Sequence, residues 1–422
     1  MILLLYYNRD IDKDASTIID NVNSFSKYSK LNIISFNTRY GITKKLKKIK
    51  FSIIILHYSL AAYLVLQKKS QQNELIEVYN YLLSSISLKI AFFQDEMHNC
   101  QRRFKLINEL KIEYIYSLLE EKYFQKVYKK NTKVKNIKSY LTGYVSDELI
   151  NKGNTYHKTF DLRTLDIVCR ARKLPIYFGK GAQEKSEIIE TFIKIIKDKK
   201  LNFKIDMSSS ENSRIYGDRW FKFLSDAKFM IGAMAGTSIF DISGKIEDIV
   251  EEYSRKSPNS NFEVLYNNTL KYYENNINYR TISPRLFECA ALRVCMILYR
   301  DSYQGIFVAD RNYIALEKDF SNIDKVLNQM KDQQLVNNII DNTYKDIILS
   351  NRWHFKLFFE EFDKFIINLN CNIRCTPEQK KNVLIIINNL ELQIYIRIFT
   401  QRLKSLFPKS IKRFIKKFIK YI

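Results

Sequence analysis

Short apolar runs separated by amphipathic stretches set the pattern of the first half of the chain. Ile2–Tyr6, Leu31–Phe36, Ser52–Leu56, Ile90–Phe93 and Tyr114–Ser117 read as continuous apolar segments, as strands buried on both faces do. Between them, Thr17–Tyr28, Asn73–Leu83, Arg102–Leu110 and Glu120–Tyr128 carry apolar residues at helical spacing. Strand–helix alternation predicts a parallel sheet with helices on both faces.

The turn-rich run Asn151-Lys152-Gly153-Asn154 interrupts this pattern, and the alternation then restarts. Leu174–Phe178 is expected as a strand, Gly179-Lys180-Gly181 as a tight turn and Glu184–Lys197 as a helix. Strands at Phe203–Asp206, Phe229–Ile231 and Val294–Leu298 follow, with helices at Pro284–Leu292 and Ile323–Met330. The economical reading is an α/β chain of two doubly wound domains with a linker near 151–160. The boundaries fall at 1–155 and 156–350, followed by C-terminal helices over 351–400 and a tail over 401–422. Trp353–Leu369 is one amphipathic helix, and Thr376-Pro377-Glu378 opens another with an N-cap, a proline at the first helical position and an acid in the first turn.

Composition agrees with a globular protein: 422 residues, 46% hydrophobic and 27% charged. Charge changes the picture more. The net charge is +24, and three acid-free runs hold most of it: Lys44–Lys50, Lys122–Lys138 and Arg402–Ile422. Such localisation points to an anionic partner surface. The cysteines are scattered, so reduced thiols are expected, and Cys371 and Cys375 lack a second Cys/His pair, so no metal site is expected. No targeting or membrane-spanning segment is evident, which predicts a cytoplasmic protein.

Doubly wound sheets bind ligands at the C-terminal ends of their strands, so polar residues just after strands are the candidates. Gln94-Asp95-Glu96-Met97-His98 places Asp95 and Glu96 after one strand, and His57 follows another; each can accept a proton from a hydroxyl. Helix capping is the structural reading of Asp95 and Glu96. Arg170, Arg172, Lys180 and Lys185 surround the turn Gly179–Gly181, where basic side chains and a helix start suit a diphosphate. The spacing is neither a P-loop nor a dinucleotide glycine pattern. Gly236, Thr237 and Ser238 lie in a small-residue loop that allows close approach of a ligand. In Ile282–Val294, Ser283 is an N-cap, Pro284 the first helical residue, and Arg285 and Glu288 share a helix face.

The block Ser283-Pro284-Arg285-Leu286-Phe287-Glu288 resembles the nucleotide-binding helix of GT-B glycosyltransferases, and residues 10–370 resemble the bacterial group of spore-maturation-type glycosyltransferases. The accompanying stretches are Phe93–Glu96, Leu141–Val145, Arg172–Pro175, Tyr216–Trp220 and Asp319–Asn322. The resemblance implies two Rossmann-like domains facing a cleft and a nucleotide-sugar donor held by the second domain. It implies that Glu288 holds the ribose and that the acceptor, a cell-envelope glycan or lipid-linked saccharide, sits against the first domain. Arg170, Arg172, Lys180, Lys185 and Arg285 would stabilise the departing diphosphate without a metal or other cofactor. An inverting enzyme needs a base, with Asp95 first and Glu96 and His57 behind it. Many GT-B enzymes carry a second Glu eight residues before the one matched by Glu288; this chain has Arg280 there, so the stereochemical outcome stays open.

In the tail, Ile411, Phe414, Ile415, Phe418, Ile419 and Ile422 form one apolar stripe, with lysines and Arg413 opposite. Lys409–Ile422 therefore reads as a helix lying on an anionic membrane surface, on the inner face of the membrane. No nucleic-acid motif is apparent, and no nucleic-acid partner is expected. If the other two basic runs share the tail's face, the acceptor site is turned toward the bilayer. A nucleotide-sugar epimerase and a non-catalytic membrane-binding protein are the alternative readings.

Overall fold

The computed structural model describes residues 1–8, 16–66, 72–373 and 375–389; the basic tail at 401–422 lies outside the described residues. Strands β1 (Ile2–Tyr6), β2 (Ile33–Asn37), β3 (Ile53–Leu56), β4 (Leu88–Phe92), β5 (Tyr114–Ser117) and β6 (Asn136–Ser139) form a sheet ordered β2-β1-β3-β4-β5-β6. Every pairing in it is parallel. β1 and β3 are buried almost throughout, which is why their sequences are apolar runs rather than alternations.

The second sheet contains β7 (Leu165–Arg170), β8 (Ile205–Ser208), β9 (Ala227–Gly232), β12 (Cys295–Tyr299) and β13 (Ile314–Leu316), ordered β13-β12-β9-β7-β8 and again parallel. Its two faces feed separate cores: Met296 and Leu298 pack on one side, Cys295, Ile297 and Tyr299 on the other. Between β9 and β12, β10 (Ala235–Thr237) and β11 (Tyr279–Thr281) pair antiparallel. The fold class is thus the expected one, with two doubly wound Rossmann-like halves.

After the second sheet the chain returns to the first. Val145 bridges to His354, and the helix Phe355–Asn368 buries Phe355, Phe359, Phe362 and Ile366 in the first core. That spacing is one helical face, and its Phe359 and Phe362 rings meet Phe25 edge-on, as Phe25 in turn meets Phe92.

Three expectations fail on local grounds. Asn151–Asn154 is no linker but the middle of the helix Asp147–Tyr156. Gly153 is there for packing: a Cβ would lie 2.6 Å from the Ala291 carbonyl oxygen. Leu174–Phe178 is not a strand. Pro175 fixes the backbone ahead of a 3₁₀ turn at Ile176–Phe178, and the strand lies earlier, at β7. Gly179 alone makes the turn, at φ 84°, and the helix Lys180–Asp198 starts at once.

Candidate functional site

The C-terminal ends of both sheets face a cleft of about 480 Å³. From the first half it is lined by Thr17, Gln94, Asp95 and Thr142, and from the second by Arg170, Arg172, Lys185, Arg214, Trp220, Ser283, Arg285 and Glu288. Two helices begin at its wall. Ser283 holds the N-cap position of Pro284–Leu292 without a side-chain capping bond, and Gly179 precedes Lys180–Asp198, whose Gly181 and Ala182 line the cleft. Free backbone N–H groups at a helix start favour an anion, but those of Lys180–Asp198 are taken: Lys180 N–H donates to Glu274 at 3.3 Å, Gly181 N–H to Ser238 at 2.8 Å and Ala182 N–H to the Gly179 carbonyl at 3.3 Å.

Glu288 accepts a hydrogen bond from the Trp220 indole at 2.7 Å. Burial raises its pKa, against the pull of Trp220 and Arg285. The Arg285 guanidinium lies 5.1 Å from the Trp220 ring centre, and its Nε is enclosed with no partner among the described residues. Arg170 stacks on Phe223 and is taken up by the protein: its Nε donates to the Ser213 carbonyl at 2.9 Å, its Nη1 to the carbonyls of Cys169 at 3.1 Å and Asp206 at 2.9 Å, and its Nη2 pairs with the Asp206 carboxylate at 2.8 Å. Lys185 is the most perturbed cation: burial first, then Arg285, brings its ammonium down to about 7. Arg172 is exposed at the rim.

Asp95 is exposed on the first-half wall, in a left-handed conformation at φ 52°. Buried Arg103 holds the turn that presents it, donating to the carbonyls of Glu96 at 2.7 Å and His98 at 2.9 Å. The helix that follows starts at Cys100 with Asn99 as its cap, so neither Asp95 nor Glu96 is a capping acid.

Other expected site residues do not reach the cleft. Glu96 is fully buried beneath it. Its carboxylate accepts from Ser117 Oγ at 2.7 Å, the Leu118 N–H at 2.8 Å and the Tyr128 hydroxyl. A carboxylate so enclosed has no acceptor proton to take. His57 is likewise buried, bonded to Ser59 and Asn21, and burial lowers its pKa to about 3. Lys180 turns away toward Glu263 and the Tyr266 ring. Thr237 is buried, and Ser238 is taken up by the Gly181 N–H at 2.8 Å. Gly236 lines the cleft, but its close approach is to protein: at φ 106°, a Cβ would meet the Tyr279 carbonyl oxygen at 1.8 Å.

Arg280, eight residues before Glu288, points away from the cleft. It donates to the Gly181 carbonyl at 2.9 Å and pairs with Glu184 and with Asp301 at 3.1 Å, bracing the start of the helix Lys180–Asp198. Sequence reasoning missed Arg103 and Arg214, and Gln94 stood in the Gln94–His98 stretch without a role. Trp220 lay in a matched stretch without a role. Among the described residues, no cluster of three or more His, Cys, Asp or Glu side chains is placed to hold a metal.

No family profile and no curated protein sequence matches the chain. Solved structures do. T4 phage BGT in complex with UDP-glucose matches over 86% of this chain and 97% of its own, at 12% identity and a TM-score of 0.50. An alpha-glucosyltransferase solved with UDP and a 13-mer DNA, and HepE of Anabaena solved with UDP, each cover 87% of this chain and 99% of their own. Their identities are 11% and 8%, both at a TM-score of 0.48. At such identities the likeness is one of fold, not of function. Two parallel doubly wound halves, a cleft at their facing strand ends and a C-terminal helix returned to the first half make this the GT-B fold.

Proposed function

We propose that the chain is a glycosyltransferase that moves a sugar from a nucleoside diphosphate donor to a hydroxyl of a cell-envelope glycan or lipid-linked acceptor. The observation that carries this reading is the convergence of Arg172, Lys185 and Arg285 with the start of the helix Pro284–Leu292 on one cleft wall. A diphosphate leaving group needs that charge, which this reading assigns to side chains and backbone rather than to a metal. The structures that share the fold were solved with UDP or UDP-glucose, which supports the same donor class.

In the reaction, the acceptor oxygen bonds to the anomeric carbon. The bond from that carbon to the β-phosphate oxygen breaks, and its electron pair leaves with the nucleoside diphosphate. Glu288 holds the ribose hydroxyls. If configuration inverts, the acceptor proton goes to Asp95, the acid exposed on the opposite wall. The Ser283–Glu288 helix also supports placement among the spore-maturation-like glycosyltransferases. The enzyme works at the inner membrane face, held there by Lys409–Ile422. Among the described residues, no helix is long and apolar enough to cross a membrane.

Calorimetry with nucleoside diphosphates and nucleotide sugars tests the donor site. Absence of binding at millimolar ligand overturns the reading in favour of a non-catalytic protein. Turnover of donor with no acceptor present points instead to an epimerase. The assay offers DNA beside glycans as acceptor, because one structure of the same fold was solved on DNA; transfer to DNA overturns the expectation of no nucleic-acid partner.

A further inference from the structure

Because the strands of the first sheet are parallel, the segments that enter them meet along one edge, at the end away from the cleft. Hydrogen bonds join these segments into one surface. Ser52 N–H donates to the Met1 carbonyl at 3.0 Å, Leu88 N–H to Ser52 at 3.1 Å, and Lys135 N–H to Glu113 at 2.7 Å.

Part of each internal basic run collects here; Lys122 and Lys126, which follow β5, do not, and Lys126 donates to the Asn276 carbonyl at 2.9 Å. Lys47, Lys48 and Lys50 lead into β3, Lys111 into β5, and Lys130 and Lys133 into β6. All are exposed, and none makes an ion pair with a described residue; of the acids near this edge, Glu113 is paired with Lys135, Glu109 lies 3.8 Å from Lys105, Asp363 accepts from Ser29 and the Lys30 N–H, and Glu378 is exposed. Among the lysines stand apolar groups with nothing to cover them. Ile86, in the loop into β4, is 99% exposed, and Leu83 before it is 53% exposed. The C-terminal segment crosses the same edge. The Met1 nitrogen donates to the Ile373 carbonyl at 3.2 Å, and Lys380 reaches Asn32 at 3.1 Å. The helix over 377–389 buries Val383 and Ile387 in the first core while Leu384 and Ile385 stay outside. The basic tail follows that helix in the sequence.

We propose that this edge is a membrane-docking face, with anionic lipid headgroups on its lysines and Ile86 and Leu83 set into the interface. Cations alone fit any polyanion. Lysines interspersed with bare aliphatic side chains fit a bilayer, because aliphatic groups gain from leaving water and gain nothing from a nucleic-acid phosphate. The cleft opens at the other end of strands four or five residues long. At about 3.3 Å per residue, docking holds the cleft roughly 15 Å or more off the lipid. Docking through this edge would turn the acceptor site away from the bilayer, so that the sugar acceptor is met on the aqueous side. The inference is independent of the transferase reading, since vesicle binding is measured without turnover.

The test is sedimentation of the full chain with vesicles of phosphatidylcholine containing about one third phosphatidylglycerol. The variant Lys47→Gln/Lys48→Gln/Lys50→Gln is compared with Lys194→Gln/Lys197→Gln/Lys200→Gln, an equal charge change on exposed positions of the second half. Each lysine at an anionic surface contributes a factor of about five, so the first variant should partition roughly a hundredfold more weakly and the second within a few-fold of wild type. Ile86→Asp should also weaken binding. Unchanged binding by the first variant, which would leave all attachment to the tail, overturns the proposal. Equal loss in both triple variants, or loss of duplex DNA binding with vesicle binding intact, overturns it as well. Thermal unfolding of each variant confirms that the fold is kept.

Discussion

Trp220 donates its indole N–H to the Glu288 carboxylate at 2.7 Å, joining helices whose contact residues are 68 positions apart. The bond fixes the Glu288 rotamer at the cleft wall, and Arg285 covers the same indole. Glu288→Ala removes a charged acceptor worth about 1.5–3 kcal/mol, so nucleotide-sugar affinity should fall by about one to two decades. Trp220→Phe keeps the ring but frees the carboxylate, and the loss should be smaller. Calorimetry on both folded variants checks this; an unchanged dissociation constant in Glu288→Ala ends the ribose role.

Arg285→Ala should lower turnover by more than it raises the Michaelis constant. Its guanidinium is stacked in place and has an unpartnered Nε, so it is organised before the diphosphate charge develops. Donors of that kind are worth about two to three decades in turnover. Steady-state kinetics on the variant separates the cases: a rise in the Michaelis constant alone makes Arg285 a binding residue only.

The parallel strands were legible because burial on both faces leaves unbroken apolar runs, as in Ile2–Tyr6. β7 was not, since Asp166 breaks its run and the more apolar Leu174–Phe178 lies close by. The β10–β11 pair is three residues per strand, too short for any periodicity. The helix Pro284–Leu292 was legible to the residue because cap, proline and apolar face agree. Arg285 and Glu288, read as sharing one face of that helix, both line the cleft. Lys180, Thr237 and Ser238 were not separable from a phosphate cradle in sequence, because their side chains are claimed by Glu263, the protein interior and Gly181, contacts set by tertiary packing.

Adjacent acids in the chain should behave oppositely. Asp95→Asn leaves the fold and donor binding intact, and in an inverting enzyme lowers transfer by about two to four decades. Glu96→Ala leaves Ser117, Leu118 and Tyr128 with unpaired buried donors and should destabilise the fold by about 1–3 kcal/mol for each group left bare. Denaturant unfolding beside a transfer assay distinguishes the two. Full transfer by Asp95→Asn removes it as base and favours a retaining mechanism.

Gly153→Ala should lower the unfolding temperature although it raises helix propensity. In an open helix the change is favourable by about 1 kcal/mol. Here the new methyl would press on the Ala291 backbone at 2.6 Å, and overpacking costs about 1–3 kcal/mol. The helix carrying Glu288 is the one displaced, so donor affinity should fall with stability. A variant more stable than wild type would show that the two helices separate freely.

Lys185 should make donor binding pH-dependent. Burial and Arg285 bring its ammonium from the ordinary value near 10.5 to about 7. Between those values the unfolded chain holds a proton that the folded chain has released, so stability of the free protein should rise with pH across that window. Ligand binding has the opposite slope. The diphosphate of a nucleotide sugar stays fully ionised near neutrality, and it favours the protonated lysine. From pH 7 to 9, affinity should therefore weaken by up to about tenfold per pH unit, the limit for uptake of one proton. Lys185→Met should flatten that slope and bind throughout like the wild type at the alkaline end. Calorimetry in buffers of different ionisation enthalpy reads the proton directly. A wild-type slope retained in Lys185→Met would assign the titration to another group.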